Sequence, residues 1–198
     1  MILSFFDRGL DEMAAGARAS IWARVVAMVG VTLIALAFLP WPVCVIWGVL
    51  VAGVDGVSWV VTREQMMGGP VSWSARLGHV ACLVAGVAGW VLLGVLFWRT
   101  GTAAGAVCGV VTWLSVMGFA QVYAYQSRAG YLLAGVIPAL AMLIVPLVSP
   151  SRAIGGIWPV WLMLLVSIAF AVTGAQQTRA ARRRYEQATQ DLRDSEQS

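Results

Sequence analysis

Six apolar stretches, parted by short polar or proline- and glycine-bearing breaks, fill the chain from Val25 to Ala175. The runs are continuous rather than alternating, which removes the period-2 signature of a half-buried strand. Each is about as long as the roughly 20 residues a helix needs to cross bilayer hydrocarbon, where only helices and closed barrels satisfy their backbone groups. The pattern predicts helices over 22–39, 42–61, 77–98, 102–124, 131–148 and 157–177. Pro40-Trp41-Pro42 forces a tight hairpin between the first two, because proline lacks a donor and restricts its predecessor. Arg99-Thr100-Gly101, Gln126–Gly130 and Ser149–Gly156 make the later breaks, and Arg63–Arg76 is the longest loop. The expected fold is all-α and polytopic, six transmembrane helices with the last continuing into a cytoplasmic coiled-coil linker.

Composition agrees with that reading. With 60% apolar and 11% charged residues and a mean hydropathy of +0.83, 198 residues cannot hide their apolar surface in a soluble core. All 13 basic residues are arginine, as codon choice in a GC-rich genome produces, which points to a bacterial source. Cys44, Cys82 and Cys108 fall inside apolar runs, where thiols behave as small hydrophobes, and imply no disulfide framework.

Arginines near helix ends orient the chain, since positive residues stay on the cytoplasmic side. An internal N-terminus places Arg8, Arg18, Arg24, Arg63, Arg76, Arg128 and the cluster Arg179, Arg182, Arg183 and Arg184 inside, leaving Arg99 and Arg152 outside. Both termini are then cytoplasmic and the expected location is a bacterial inner membrane. The outer loops are too short for a folded domain, so a stimulus must be small, lipid-borne or the bilayer itself.

Residues 1–21 form the first of three expected regions. Asp7, Asp11 and Glu12 and the lack of a long apolar core argue against a cleavable signal peptide. Leu3, Phe6, Leu10, Met13 and Ala17, spaced by three and four, suit an amphipathic helix lying in the interface, or alternatively a frayed terminus before the first span. The second region is the transmembrane domain, 22–177. The third, 178–198, carries Ala181, Tyr185, Ala188, Leu192 and Ser195 at intervals of four, three, four and three, the seam of a parallel coiled coil. Two alanines and a serine make that seam weak, which suits a helix that must shift or rotate in a homodimer and equally a solvated single helix. The arginine cluster follows from the positive-inside effect and attraction to anionic headgroups, with no nucleic-acid partner implied.

Arg182-Arg183-Arg184-Tyr185-Glu186-Gln187 followed by Asp191-Leu192-Arg193-Asp194-Ser195-Glu196-Gln197 resembles the linker that leads from a last membrane helix into a PAS or kinase module of bacterial sensor histidine kinases. In that family Leu-Arg-x-Ser-Glu often stands just before the first PAS residues, and Leu192, Arg193, Ser195 and Glu196 have that spacing. The resemblance covers about twenty residues, and multi-pass diguanylate cyclases use similar linkers. It implies an input module whose effector domain follows in the same parent chain. No kinase histidine box or ATP-binding glycine box is present, and His79, the single histidine, sits in a span.

Small residues supply packing surfaces. Gly101, Gly105 and Gly109 recur at every fourth position, as do Gly48, Ala52 and Gly56, leaving smooth stripes for close helix approach within the bundle or between copies. Pro138 and Pro146 in the fifth span and Pro159 in the sixth allow kinks whose freed carbonyls could bind water or ligand. Trp22, Trp41, Trp73, Trp98 and Trp158 lie near expected interfaces, whereas Trp47, Trp59, Trp90, Trp113 and Trp161 reach deeper and are expected to line the bundle.

Asp55 is the one acid inside a span. An unpaired carboxylate there costs on the order of 3 kcal/mol, so it should face the interior. It lies roughly 12 Å along a helix axis from Arg63. His79, three residues from Arg76, and Gln121, seven from Arg128, fall at similar depth, with Tyr123 and Tyr125 nearby. These five residues form a candidate cluster for ligand or proton sensing; alternatively Asp55 only fixes packing and His79 snorkels to the interface. Intramembrane proteolysis needs a second base or acid, and haem or zinc needs ligands that one histidine does not supply, so no catalysis, metal or cofactor is expected in this chain. A sensor and dimerisation module passing a signal through the sixth span to a cytoplasmic kinase is the favoured function, its partners being the bilayer, a second copy and the effector domain. The input module of a diguanylate cyclase and a small proton- or cation-coupled transporter are the alternatives.

Overall fold

In the computed structural model the described residues are 21–63, 72–124 and 127–149, with Gln187 and Thr189 as isolated helical positions. They form five helices and no strand: α1 (Ile21–Ala35), α2 (Trp41–Val61), α3 (Trp73–Arg99), α4 (Ala103–Ala124) and α5 (Arg128–Val148). The expected sixth span at 157–177, the segment 1–20 and the seam residues Ala181, Tyr185, Ala188, Leu192 and Ser195 lie outside the described residues.

The four helices α2 to α5 are long and apolar enough to cross a membrane. α1 has 15 residues, about 22 Å at 1.5 Å per residue, and falls short of a hydrocarbon core of about 30 Å. The run expected over 22–39 leaves regular helix at Ala35 because the chain must turn into Pro40, which restricts Leu39. Its apolar tail continues in tightened turns, with Ala37 N–H donating to Ile34 C=O and Phe38 N–H to Ala35 C=O.

Local chemistry sets the other boundaries. α3 begins at Trp73, four residues before the expected start, because Ser72 caps it: its Oγ accepts from Ala75 N–H at 3.3 Å. Ser127 does the same for α5 through Gly130 N–H. Between α3 and α4 the turn is closed by Gly101, whose φ of +72° is the left-handed conformation that glycine adopts without penalty. Inside the apolar helices hydroxyls return to their own backbone: Thr32 Oγ1 donates to Met28 C=O, Thr112 Oγ1 to Cys108 C=O and Ser115 Oγ to Val111 C=O. A polar group that bonds within its own helix needs no outside partner in an apolar environment.

Successive helices run antiparallel. Thr32 faces Gly48, Val51 faces Gly89, Val61 faces Gly78, and Gly109 faces Gly94. Arg24, Arg63, Arg76 and Arg128 therefore belong to one end of the bundle and Arg99 to the other. α3 is the hub, packing against α2, α4 and α5, while α1 packs on α2. A Cβ on Gly109 would lie 2.7 Å from Gly94 C=O, and one on Gly94 would strike the Trp113 indole. The expected stripe on the fourth span thus serves contact within the bundle, at Gly105 and Gly109, whereas Gly101 closes the turn. The stripe on the second span is different: Gly48 meets only Thr32 at ordinary distance, Gly56 meets nothing within 4 Å, and Ala52 is exposed.

One core cluster joins α3, α4 and α5 around Trp113, Trp98 and Met142; a second joins α1, α2 and α3 around Cys44, Trp47, Leu93 and Phe97. Pro138 and Pro146 are fully buried. Three indole N–H groups donate across helices to backbone carbonyls: Trp47 to Gly89 at 2.7 Å, Trp113 to Val91 at 3.0 Å and Trp98 to Ser149 at 2.7 Å. Trp98, expected at an interface, is buried for that reason, while Trp59, expected to line the bundle, is 46% exposed. Trp22, Trp41 and Trp73 are exposed, as belt residues are. The outward faces carry Val26, Leu33, Ile46, Val49, Val107 and Leu147, a surface that suits contact with lipid.

Candidate functional site

Arg24 stands in the first turns of α1, and Asp55 lies three-quarters of the way along the antiparallel α2. Their side chains meet across the helix pair, Arg24 Nη1 donating to Asp55 Oδ1 at 2.7 Å, each 24% exposed. A guanidinium and a carboxylate at this distance form a charge-assisted hydrogen bond, stronger than a neutral one. It answers the cost of a carboxylate in an apolar helix with a partner on the neighbouring helix.

The pair borders a partly open cavity of about 280 Å³ lined by four helices. Helical periodicity explains the lining. From α1 come Arg24, Ala27 and Val31; from α2, Val51, Asp55 and Ser58; from α3, His79, Cys82, Leu83, Gly86, Val87 and Trp90; from α4, Ser115, Val116 and Phe119. Steps of three and four keep each set on one helix face. Arg24, Asp55, Ser58 and His79 lie toward the arginine-rich end, and Val31, Val51, Val87 and Trp90 line the deeper part together with Ser115, whose hydroxyl bonds to Val111 C=O of its own helix. Trp90 stands edge-to-face against Trp47, ring centroids 5.1 Å apart, with Trp47 in turn bonded to the α3 backbone beside it.

Of the residues expected to sense ligand or protons, Asp55 and His79 share this cavity, and His79 is 3% exposed. Gln121 is half-buried on α4 and is not among the lining residues. The side chain of Tyr123 and the whole of Tyr125 lie outside the described residues. Arg24 was treated only as a flanking positive charge; the signal that could have found it is an arginine one turn inside an apolar run, across a two-proline hairpin from an intramembrane acid. The buried prolines of α5 contribute nothing to the lining.

Among the described residues no group of three His, Cys, Asp or Glu could hold a metal ion. The carboxylate of Asp55 is engaged by a guanidinium, so the cavity has the chemistry of binding: an apolar interior and one ion pair that ligand or proton could open. Comparison with protein-family models, with curated proteins and with solved structures finds no match to the chain.

Proposed function

We propose that the chain is a membrane-embedded input and dimerisation module. A small molecule, a lipid or a proton received in the cavity alters the Arg24–Asp55 contact, and the packing of α1 and α2 against α3 changes with it. A sixth helix and the 178–198 segment carry that change to a cytoplasmic signalling enzyme, a histidine kinase on the resemblance of the linker. The module sits in a bacterial inner membrane as a homodimer with both termini cytoplasmic. The observation that carries the reading is an ion pair joining two helices on the wall of a cavity: a contact that two states of a bundle can hold or release.

The test uses the chain in native membranes, with single cysteines at Ala188, Leu192, Gln187 and Asp191. Crosslinks between copies should form faster at Ala188 and Leu192, and Asp55→Asn, which keeps the shape and removes the charge, should change that ratio. Equal rates at all four positions, or a ratio indifferent to Asp55→Asn, would overturn the relay. The same ion pair also favours a proton- or cation-coupled carrier. In that case vesicles containing the protein would dissipate an imposed proton gradient, and Asp55→Asn would abolish the flux.

A further inference from the structure

We propose that the cavity is a binding site for an uncharged amphiphile: a molecule with an apolar body and a neutral hydrogen-bonding head such as a hydroxyl or carbonyl. The inference rests on the reading of the cavity as the receiving site and adds the class of molecule received. Its first ground is charge. Arg24 and Asp55 are paired at 2.7 Å, so the wall presents a cation and an anion already satisfied by each other. An anionic or a cationic ligand would add a net charge beside a pair that is already neutral, and so leave one charge uncompensated in a poorly solvated place. A neutral head adds none. It can accept from the guanidinium or donate to the carboxylate, and so shift the Arg24–Asp55 contact without leaving either charge uncompensated.

The second ground is the distribution of the lining. The charged and titratable side chains (Arg24, Asp55 and His79) stand with Ser58 at one end, while Val31, Val51, Val87 and Trp90 make the interior with Ser115, whose hydroxyl donates to Val111 C=O of its own helix. Such a gradient orients an amphiphile head toward the arginine-rich end and tail toward Trp90. The volume, about 280 Å³, lies at the small end of small-molecule sites, which run from roughly 300 to 1,000 Å³. It has room for a single chain or ring system. Water alone is a poor occupant of the deeper part, since a buried water wants two to four polar partners and the walls there are apolar apart from Ser115, whose hydroxyl proton is taken by Val111 C=O.

Brominated probes test this directly, because bromine quenches an indole it touches and Trp90 lines the cavity. The purified full chain in lipid nanodiscs, buffered above neutrality so that a fatty acid is ionised, is titrated with bromodecanol, bromodecanoate and bromodecyltrimethylammonium. The cavity signal is the quenching lost in Trp90→Phe. Bromodecanol should give a saturable signal, and both ions should bind roughly tenfold or more weakly, the cost of stranding one charge. Asp55→Asn leaves a lone guanidinium and should invert the preference toward bromodecanoate; Arg24→Gln leaves a lone carboxylate and should invert it toward the ammonium. Equal binding of the three probes, tighter binding of either ion to the unaltered protein, or quenching undiminished in Trp90→Phe would overturn the proposal. If bromodecanol binds as expected but leaves the crosslinking ratio of the 178–198 segment unchanged, the relay falls and the ligand class stands.

Discussion

The two sides of α3 are built differently. Toward α4 and α5 it meets glycine backbone, a fully buried Trp113 and the buried Met142, and close approach leaves no room for even one added methyl at Gly94 or Gly109. Toward α1 and α2 the contact is thinner: 17% of the α2 membrane window is buried against 44% for α4. The ion pair and most of the cavity's polar groups lie on this thinner side. Packing that interlocks backbone against backbone has one arrangement, whereas side-chain contacts such as the Trp47–Gly89 bond and the Arg24–Asp55 pair have alternatives. On the function proposed above, α3–α5 would be the frame and α1–α2 the moving part.

Breaking the frame should have the largest effect. Trp113→Ala removes a fully buried indole and its bond to Val91 and should cost about 3 to 5 kcal/mol, read as a lowered unfolding midpoint in detergent. Gly109→Leu should prevent the folded state altogether, because the obstacle is the Gly94 carbonyl and not a side chain that can swing away. A tolerated leucine at this position would show that the two helices are not in backbone contact.

Breaking the ion pair should cost less. Arg24→Ala and Asp55→Ala each leave one charge against an apolar wall; with both side chains 24% exposed, about 2 kcal/mol is expected, between the values for surface and fully buried pairs. The double substitution should cost clearly less than the two single costs added together, since removing both partners strands neither. Additive costs would mean that the contact carries no coupling.

The smallest effect is expected on the outer stripe of α2. Gly56→Ala adds a methyl group where nothing lies within 4 Å and should raise stability by about 0.5 to 1 kcal/mol, the usual gain of alanine over glycine inside a helix. A loss, measured by the same unfolding assay, would reveal that something packs on this face and would weaken the contrast between frame and moving part.

Much of the frame was legible because its punctuation is local. Pro40 and Gly101 mark breaks by turn geometry that acts within a few residues, whereas the caps at Ser72 and Ser127 lie in polar stretches that an apolar-run reading passes over, so α3 and α5 begin four and three residues before their expected starts. Asp55 and His79 were legible as site candidates because ionisable groups stand out in apolar helices. Arg24 carries no such signal in the sequence, because it stands near a helix end where arginines are expected and its guanidinium reaches well beyond its own Cα. The opposite fates of Trp98 and Trp59 depend on helix rotation and on which carbonyl lies opposite, and 18 to 20 apolar residues of nearly uniform hydrophobicity carry little rotational signal. For the same reason one glycine stripe faces inward and the other outward although their spacing is identical.

The turn at Gly101 has a bearing on biogenesis. Thr100 Oγ1 closes the last turn of α3 on Phe97 C=O, and Thr102 Oγ1 accepts from Gly105 N–H to open α4, so two helices are joined by a connector of three residues with no slack. The contacts that hold them, Gly94 against Gly109 and Trp113 against Val91, lie close in sequence, and close contacts form early. This hairpin can reach its native packing once Ala124 has entered the bilayer, before any of α5 is needed. It is the unit on which the rest of the protein can be assembled during membrane insertion.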